Sequence, residues 1–280
     1  MSLDPAEIAR AVDAALAEDV GLGDLTTRAT VPEGTRLRLS MTTREDIVPA
    51  GLAVAAAVFR KLAPGATIDI LVDDGGRAAA GTVLMRLEGP AHGLLTAERT
   101  ALNFVQLLSG IATLTRTYVD AIDGTGAVLL DTRKTLPGLR ALSKYATRMG
   151  GAVNHRMRLD DGMLIKDNHV AAAGDIGEAV RRAVAQAPRG MDVRAECDTL
   201  EQVEEALAAG ATSLLLDNMA PDTLRRAVAI VGGRVPLEAS GGVNLKNIRA
   251  IAETGVGFIS TGRITQGATA VDIGLDLDPA

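Results

Sequence analysis

Between positions 133 and 166 the chain carries eight cations, Arg133, Lys134, Arg140, Lys144, Arg148, Arg156, Arg158 and Lys166, against two aspartates, Asp160 and Asp161. The whole chain sums to −6, so everything outside this stretch sums to −12. A concentrated positive island in an acidic protein points to a small anionic ligand, whereas a nucleic-acid binder is more often basic over a whole face. The plain alternative is a solvated helix face. In Asp131-Thr132-Arg133-Lys134-Thr135 the two cation types stand side by side among hydroxyl donors. Arginine offers a planar fork that matches a carboxylate, and lysine a compact charge suited to phosphate.

Further motifs carry chemistry of their own. Gly150-Gly151-Ala152-Val153-Asn154-His155-Arg156 allows close backbone approach and adds the donors His155 and Arg156; a lone histidine there would read as structural. In Leu164-Ile165-Lys166-Asp167-Asn168-His169, Lys166 ends an apolar run. It could serve as a Schiff-base nucleophile, a phosphate clamp or half of an ion pair. His169 reads as structural or supporting. Glu196 and Asp217 could hold Mg²⁺ through water, bind ribose hydroxyls, or pair with Lys166 or Lys134, since hard oxygen ligands suit that ion. Ser240-Gly241-Gly242 and Ser260-Thr261-Gly262-Arg263 are turns rich in exposed backbone N–H groups, the kind that hold phosphate at the end of a barrel.

Elements that could bring these residues together are visible in the rhythm of the chain. Six apolar runs end in Asp131, Lys166, Glu196, Asp217, Ser240 and Thr261, at spacings of 35, 30, 21, 23 and 21. Such spacing fits strand–helix units, hence parallel strands with right-handed crossovers and a β/α barrel, with the terminal residues on its active rim. A charge at the end of a buried strand is tolerated where it meets water or a ligand. Upstream lies a smaller α+β module. It has a helix capped by Asp4 with Pro5 and Glu7, a loop over Gly21–Thr27 and a strand over Arg36–Met41. A helix over Leu52–Leu62 and strands near Thr67–Val72 and Thr82–Leu87 follow. A long helix over about Leu94–Ile122, broken or bent near Ser109-Gly110, follows it.

Composition bounds the rest. The chain has 280 residues, of which 47% are hydrophobic and 2% aromatic, which fits a globular protein with an aliphatic core and removes the aromatic platforms used for single-stranded nucleic acid. The single Cys197 and an N-terminus without signal character set a cytoplasmic expectation. No apolar run is long enough to suggest a membrane span.

With these motifs laid out, the chain resembles the quinolinate phosphoribosyltransferase family, or nicotinate-nucleotide pyrophosphorylase (carboxylating). The resemblance rests on EDVGLGDLTT (Glu18 to Thr27), ERTALNFVQLLSGIAT (Glu98 to Thr113), DTRKTLPGLRALSKYA (Asp131 to Ala146), NHRMRLDDGMLIKDNH (Asn154 to His169), LLLDNM (Leu214 to Met219), EASGGVN (Glu238 to Asn244) and FISTGR (Phe258 to Arg263). It implies an α/β protein with an N-terminal α/β sandwich, residues 1–110, and an open, seven-stranded α/β barrel, residues 111–267. The tail, about 268–280, is a candidate to pack on the first domain. It implies quinolinate contacts from Arg133, His155, Arg156 and Lys166. It implies phosphoribosyl and Mg²⁺ contacts from Lys134, Glu196, Asp217, Ser240, Gly241, Gly242 and Gly262, with Thr132, Ser260 and Thr261 in the same loops. It also implies a homodimer or higher homo-oligomer in which Arg99 enters the neighbouring site. Two positions depart from the family pattern: Ala152 stands where a third glycine is common, and Arg194 where an acidic residue is common.

The implied reaction joins quinolinate to phosphoribosyl pyrophosphate, giving nicotinate mononucleotide, pyrophosphate and CO₂. Lys134, Lys166, Glu196 and Asp217 are the groups nearest the chemistry. Competing readings are a molybdate-uptake-associated paralogue of the same fold, a Schiff-base aldolase built on Lys166, and a non-catalytic sensor of phosphorylated metabolites. No nucleic-acid or membrane partner is expected.

Overall fold

Asp4 accepts the Ala6 N–H at 2.9 Å and Pro5 fills the first helical position, so α1 runs Pro5–Asp19 and buries Ala11, Val12 and Leu16. Glu7 pairs with Arg10 at 2.9 Å. The loop expected over Gly21–Thr27 ends early, because the Asp24 carboxylate accepts the Thr27 N–H at 2.9 Å and starts α2 (Leu25–Thr30). Then come β1 (Arg36–Thr43), α3 (Leu52–Leu62), β2 (Thr67–Ile70), β3 (Val83–Pro90) and α4 (Ala91–Ala121). No break falls at Gly110: α4 is one helix of 31 residues. Gly110 serves another purpose: a Cβ there would collide with the backbone carbonyl of Thr269.

The chain continues through β4 (Val128–Leu130), α5 (Arg140–Met149), β5 (Met163–Ile165), α6 (Asp167–Ala173), α7 (Ile176–Gln186) and β6 (Val193–Cys197). It goes on through α8 (Leu200–Ala208), β7 (Ser213–Asp217), α9 (Pro221–Val231) and β8 (Leu237–Ser240). It closes with α10 (Ile248–Ala252), β9 (Phe258–Ser260), α11 (Arg263–Gln266) and β10 (Ile273–Leu277). The structure, a computed structural model, describes residues 3–278.

Internal contacts divide these residues into two units. The first takes in the chain up to Arg116, Thr135–Gly151 and the chain from Thr265 onward; the second takes in Thr117–Lys134 and Ala152–Ile264. The sequence reading draws one boundary near residue 110 and makes the tail a candidate to pack on the first part; by contacts the C-terminal strand belongs to the first unit, and so does α5. That unit is built on an antiparallel sheet of order β10-β1-β3-β2. Its hydrophobic core includes Met41, Leu52, Phe59, Leu84, Met85, Leu94 and Ile111. The basic island is divided accordingly. Arg140, Lys144 and Arg148 lie on α5, with Lys144 buried and Arg148 over the Tyr145 ring at 5.7 Å.

The second unit is a parallel sheet of order β4-β9-β8-β7-β6-β5. Each of the six apolar runs became one of its strands. Their order makes chain neighbours into sheet neighbours from β5 to β9, with β4 placed beside β9. The seven-stranded barrel is corrected here to six strands. Beside β4 no further strand forms among the described residues, and Val153 makes a single parallel bridge to Leu130. The reason is local: the next N–H, that of His155, goes to the buried Asp131 carboxylate at 2.9 Å instead of to a strand.

Candidate active site

The six parallel strands all point one way, so the residues that follow them meet at one end of the second unit. There they line a hollow of about 540 Å³. Thr132, Arg133 and Lys134 enter from the turn after β4, and His155 and Arg156 from the loop bridged to it. Lys166, Glu196 and Asp217 come from the ends of β5, β6 and β7, and Ser240, Gly241, Gly242 and Ser260 from those of β8 and β9. Arg99, Thr261 and Gly262 are not in this lining. Arg99 is an exposed residue of α4 in the first unit. Thr261 is buried, and its hydroxyl donates to the Val243 carbonyl at 3.2 Å, tying the two glycine-containing turns together.

Asp131, completely buried, explains how distant cations share the hollow. Its carboxylate accepts from the Asn154 amide at 2.5 Å and from the His155 N–H at 2.9 Å, clamping the loop of His155 and Arg156 to the end of β4. The turn is set by the Lys134 N–H, which donates to Thr132 Oγ1 at 3.0 Å. Arg156 reaches the Gly162 carbonyl at 2.6 Å. Burial and the neighbouring Arg133 and Arg194 charges push the Arg156 guanidinium below its usual range. The Nε of Arg133 is buried without a hydrogen-bond partner. Crowded guanidinia with an unspent donor favour an incoming anion, which screens their repulsion and takes the open N–H.

On the other side of the hollow Lys166 pairs with Glu196 at 3.2 Å. His169 plays the supporting part: its Nδ1 accepts the Lys166 N–H at 2.9 Å and fixes the start of α6. Burial raises the Glu196 carboxyl above its ordinary value, Lys166 opposes the rise, and Asp217 adds to it. Among the described residues no group of three or more His, Cys, Asp or Glu is placed to hold a metal. The chain offers two carboxylates instead, Glu196 and Asp217, a set that suits Mg²⁺ when substrate phosphates complete the shell. Gly241 and Gly242, at φ +83° and +60°, present their loop to the hollow, and Asn244 and Asn247 brace it by donating to the Gly242 carbonyl at 3.0 and 3.1 Å.

Three residues without an assigned role in the sequence reading prove structurally prominent. Asn218 lines the hollow and donates to Asp217 Oδ2 at 2.5 Å. Glu238 also lines it, with a side chain only 2% exposed. Arg194 lies against Glu238 and pairs with Asp192 at 3.0 Å. Charged residues inside otherwise apolar parallel strands were the available signal for the last two.

Comparison with known proteins gives the same picture. The model for the quinolinate phosphoribosyl transferase C-terminal domain matches residues 111–276, and that for the N-terminal domain residues 24–109. The nicotinate-nucleotide pyrophosphorylase (carboxylating) of Mycobacterium leprae is 48% identical over 269 residues, covering 94% of each chain. The quinolinate phosphoribosyltransferase (decarboxylating) 2 of Nicotiana glauca is 38% identical over 283 residues, covering 94% of this chain and 80% of that protein. The solved nicotinate-nucleotide pyrophosphorylase of Francisella tularensis superposes with a TM-score of 0.95 at 39% identity, covering 99% of this chain and 98% of that one.

Proposed function

The chain belongs to the quinolinate phosphoribosyltransferase family, and from that premise we infer how its hollow works. The protein transfers phosphoribosyl from phosphoribosyl pyrophosphate to quinolinate, yielding nicotinate mononucleotide, pyrophosphate and CO₂ on the route to NAD. One observation carries the reading: Arg133, Lys134, Arg156 and Lys166, scattered over 34 positions, line one hollow with Glu196 and Asp217. At an effective dielectric near 20, one cation 4 Å from a carboxylate contributes about 4 kcal/mol, so several are needed to strip water from a dianion.

Arg133 and Arg156 take the two carboxylates of quinolinate, assisted by Lys166, while His155 holds the Arg156 backbone beside them. Lys134 neutralises the pyrophosphate, and the Gly241-Gly242 loop with Ser240 and Ser260 receives the 5′-phosphate. Glu196 and Asp217 face the ribose, where a carboxylate favours the positive charge developing at C1. The pyridine nitrogen forms its bond to C1 as the bond from C1 to pyrophosphate breaks. The carbon–carbon bond to the adjacent carboxylate then breaks, its electron pair stays on the ring carbon beside the positively charged nitrogen, and a proton from solvent adds there as CO₂ leaves. Glu196 and Asp217 are the residues that would hold Mg²⁺, which supplies neutralising charge for the leaving pyrophosphate.

The ion pair of Lys166 with Glu196 speaks against an aldolase, since an ion-paired ammonium has no lone pair to offer a carbonyl. Release of ¹⁴CO₂ from carboxyl-labelled quinolinate, dependent on phosphoribosyl pyrophosphate and Mg²⁺, tests the reading. Tight binding of both substrates without labelled gas would leave a sensor in its place.

The active form is a homodimer or higher homo-oligomer in which Arg99, exposed on α4, completes a neighbouring site. At a quinolinate concentration too low for either variant alone, mixing Arg99→Ala and Arg133→Ala chains should then regenerate up to about a quarter of wild-type activity in hybrid dimers. No recovery on subunit exchange would remove Arg99 from the site. Among the described residues no helix is long and apolar enough to cross a membrane. A cytoplasmic setting suits Cys197, the chain's one thiol.

A further inference from the structure

Beneath the hollow, β6 carries Arg194 and Glu196 on one side of the strand, two residues apart. Arg194 does not lie in the lining, and its guanidinium is spent on protein groups. Its Nε donates to Ser213 Oγ at 2.9 Å, it pairs with Asp192 at 3.0 Å, and one terminal nitrogen donates to Glu238 Oε2. The same Glu238 oxygen lies 3.3 Å from His155 Nε2. On the opposite edge of the imidazole, Nδ1 accepts the Arg156 N–H at 2.8 Å. An imidazole that accepts at Nδ1 carries its proton on Nε2, and that proton is directed to Glu238. The contact of Arg194 with His155 Nε2, at 3.0 Å, is therefore two donors converging on one carboxylate.

We propose that Arg194 is a positioning residue for the aromatic dicarboxylate: it keeps Glu238 charged and turned to His155, which fixes the histidine tautomer that anchors Arg156. The proposal rests on the assignment of quinolinate to this hollow. Burial pushes the Glu238 carboxyl up. The His155 hydrogen bond and the Arg194 charge outweigh that push and hold it below the ordinary range. Without Arg194 a carboxylate 2% exposed has two ways to shed its uncompensated charge. It can draw a second proton onto His155, or it can take a proton itself and donate it to Nε2. Both routes put a proton on Nδ1, and both break the Arg156 N–H contact.

The test compares wild type with Arg194→Ala, Arg194→Lys, Glu238→Gln and the double variant Arg194→Ala/Glu238→Gln. The histidine tautomer is read by two-dimensional ¹H–¹⁵N NMR on protein labelled at its three histidines. The Nε2–H form is expected in wild type and loses its signature in Arg194→Ala. In kinetics Arg194→Ala should raise the quinolinate KM about tenfold and leave the phosphoribosyl pyrophosphate KM within about twofold, corresponding to ~1.4 kcal/mol at the dicarboxylate alone. Arg194→Lys should recover part of the loss. The double variant should recover most of it, because a neutral amide oxygen at 238 still accepts from Nε2–H and needs no cation. An unchanged tautomer in Arg194→Ala, equal rises in both KM values, or a double variant no better than the single one would each overturn the proposal. Wild-type turnover of quinolinate is the control: its absence would fail the functional assignment, whereas the tautomer result reads the positioning role by itself.

Discussion

The side-chain oxygen of Asn218 occupies the space that a Cβ at Gly241 would need. Asn218 is itself the one non-glycine residue at positive φ among those described, at +53°. Its N–H donates to the Ser240 carbonyl at 2.9 Å and its amide to Asp217 at 2.5 Å. One residue in a costly backbone region thus orients the carboxylate on β7 and fixes the glycine loop after β8. Strain of this kind persists where the surroundings impose it.

Replacing Asn218 with glycine separates stability from function. Glycine relieves the left-handed backbone but frees the unfolded chain, so thermal stability should change by no more than about 1 kcal/mol. The amide that orients the Asp217 carboxylate is lost as well, and a misplaced group at the reacting sugar should lower kcat at least about tenfold. Melting curves and turnover on the same preparation check this, and an equal loss of both would mean that Asn218 acts through folding. Gly241→Ala should cost about 1–3 kcal/mol through φ and the collision with Asn218. The two substitutions together should cost less than their sum.

The two adjacent cations should separate by substrate. Arg133→Ala is expected to raise the quinolinate KM roughly 100-fold while moving that of phosphoribosyl pyrophosphate by less than about threefold. Lys134→Ala should do the reverse. Because Arg133 Nε is buried without a partner and its charge disfavours that of Arg156, Arg133→Ala should not lower the melting temperature of the free protein. Quinolinate should raise the melting temperature of wild type and leave that of the variant unmoved. A variant still stabilised by quinolinate would take Arg133 out of the binding set.

Asp131 touches no substrate in this scheme, yet its loss should remove the site. Asp131→Ala strands the His155 N–H and the Asn154 amide, at a cost of about 2–4 kcal/mol, and frees the loop that carries Arg156. Stability and quinolinate affinity should fall together in melting and titration experiments. Normal affinity in a destabilised variant would show that the loop holds its place without the clamp.

Cys197 offers a check on the closure of β6. The thiol is fully buried, and burial, with the adjacent Asp198 and Glu196 charges, pushes it up to about 12. At pH 8 the thiolate is scarce, so a disulfide reagent should leave native protein unmodified and titrate one thiol per chain after unfolding in guanidinium. Fast native labelling would mean that β6 opens.

Much of this architecture was legible because parallel strands need apolar runs and their ends tolerate charge only at a rim. That rule found all six strands and placed Lys166, Glu196 and Asp217 beside one another. Other features carried no local mark. Gly110 reads as a helix break, and only the Thr269 carbonyl against it shows why glycine is there. Leu25, Thr26 and Thr27 read as the end of a loop, since the six residues of α2 are too few for a helical period to show. Arg194 reads as a cation added near Glu196, and its pairing with Glu238 depends on β8, over forty residues away.

The sequence by itself determined the chemistry available: which residues are cationic, which runs are apolar enough for strands, and where glycine frees the backbone. These are properties of single residues and of short-range periodicity. Only the tertiary structure decided which cations share the hollow, leaving Arg140, Lys144 and Arg148 on α5 in the other unit. It also decided that Asp131 is a clamp and that His155 Nε2 lies 3.3 Å from a Glu238 carboxylate oxygen. Those outcomes depend on hydrogen bonds and charge balance between segments far apart in the chain, and no local pattern encodes where such partners will meet.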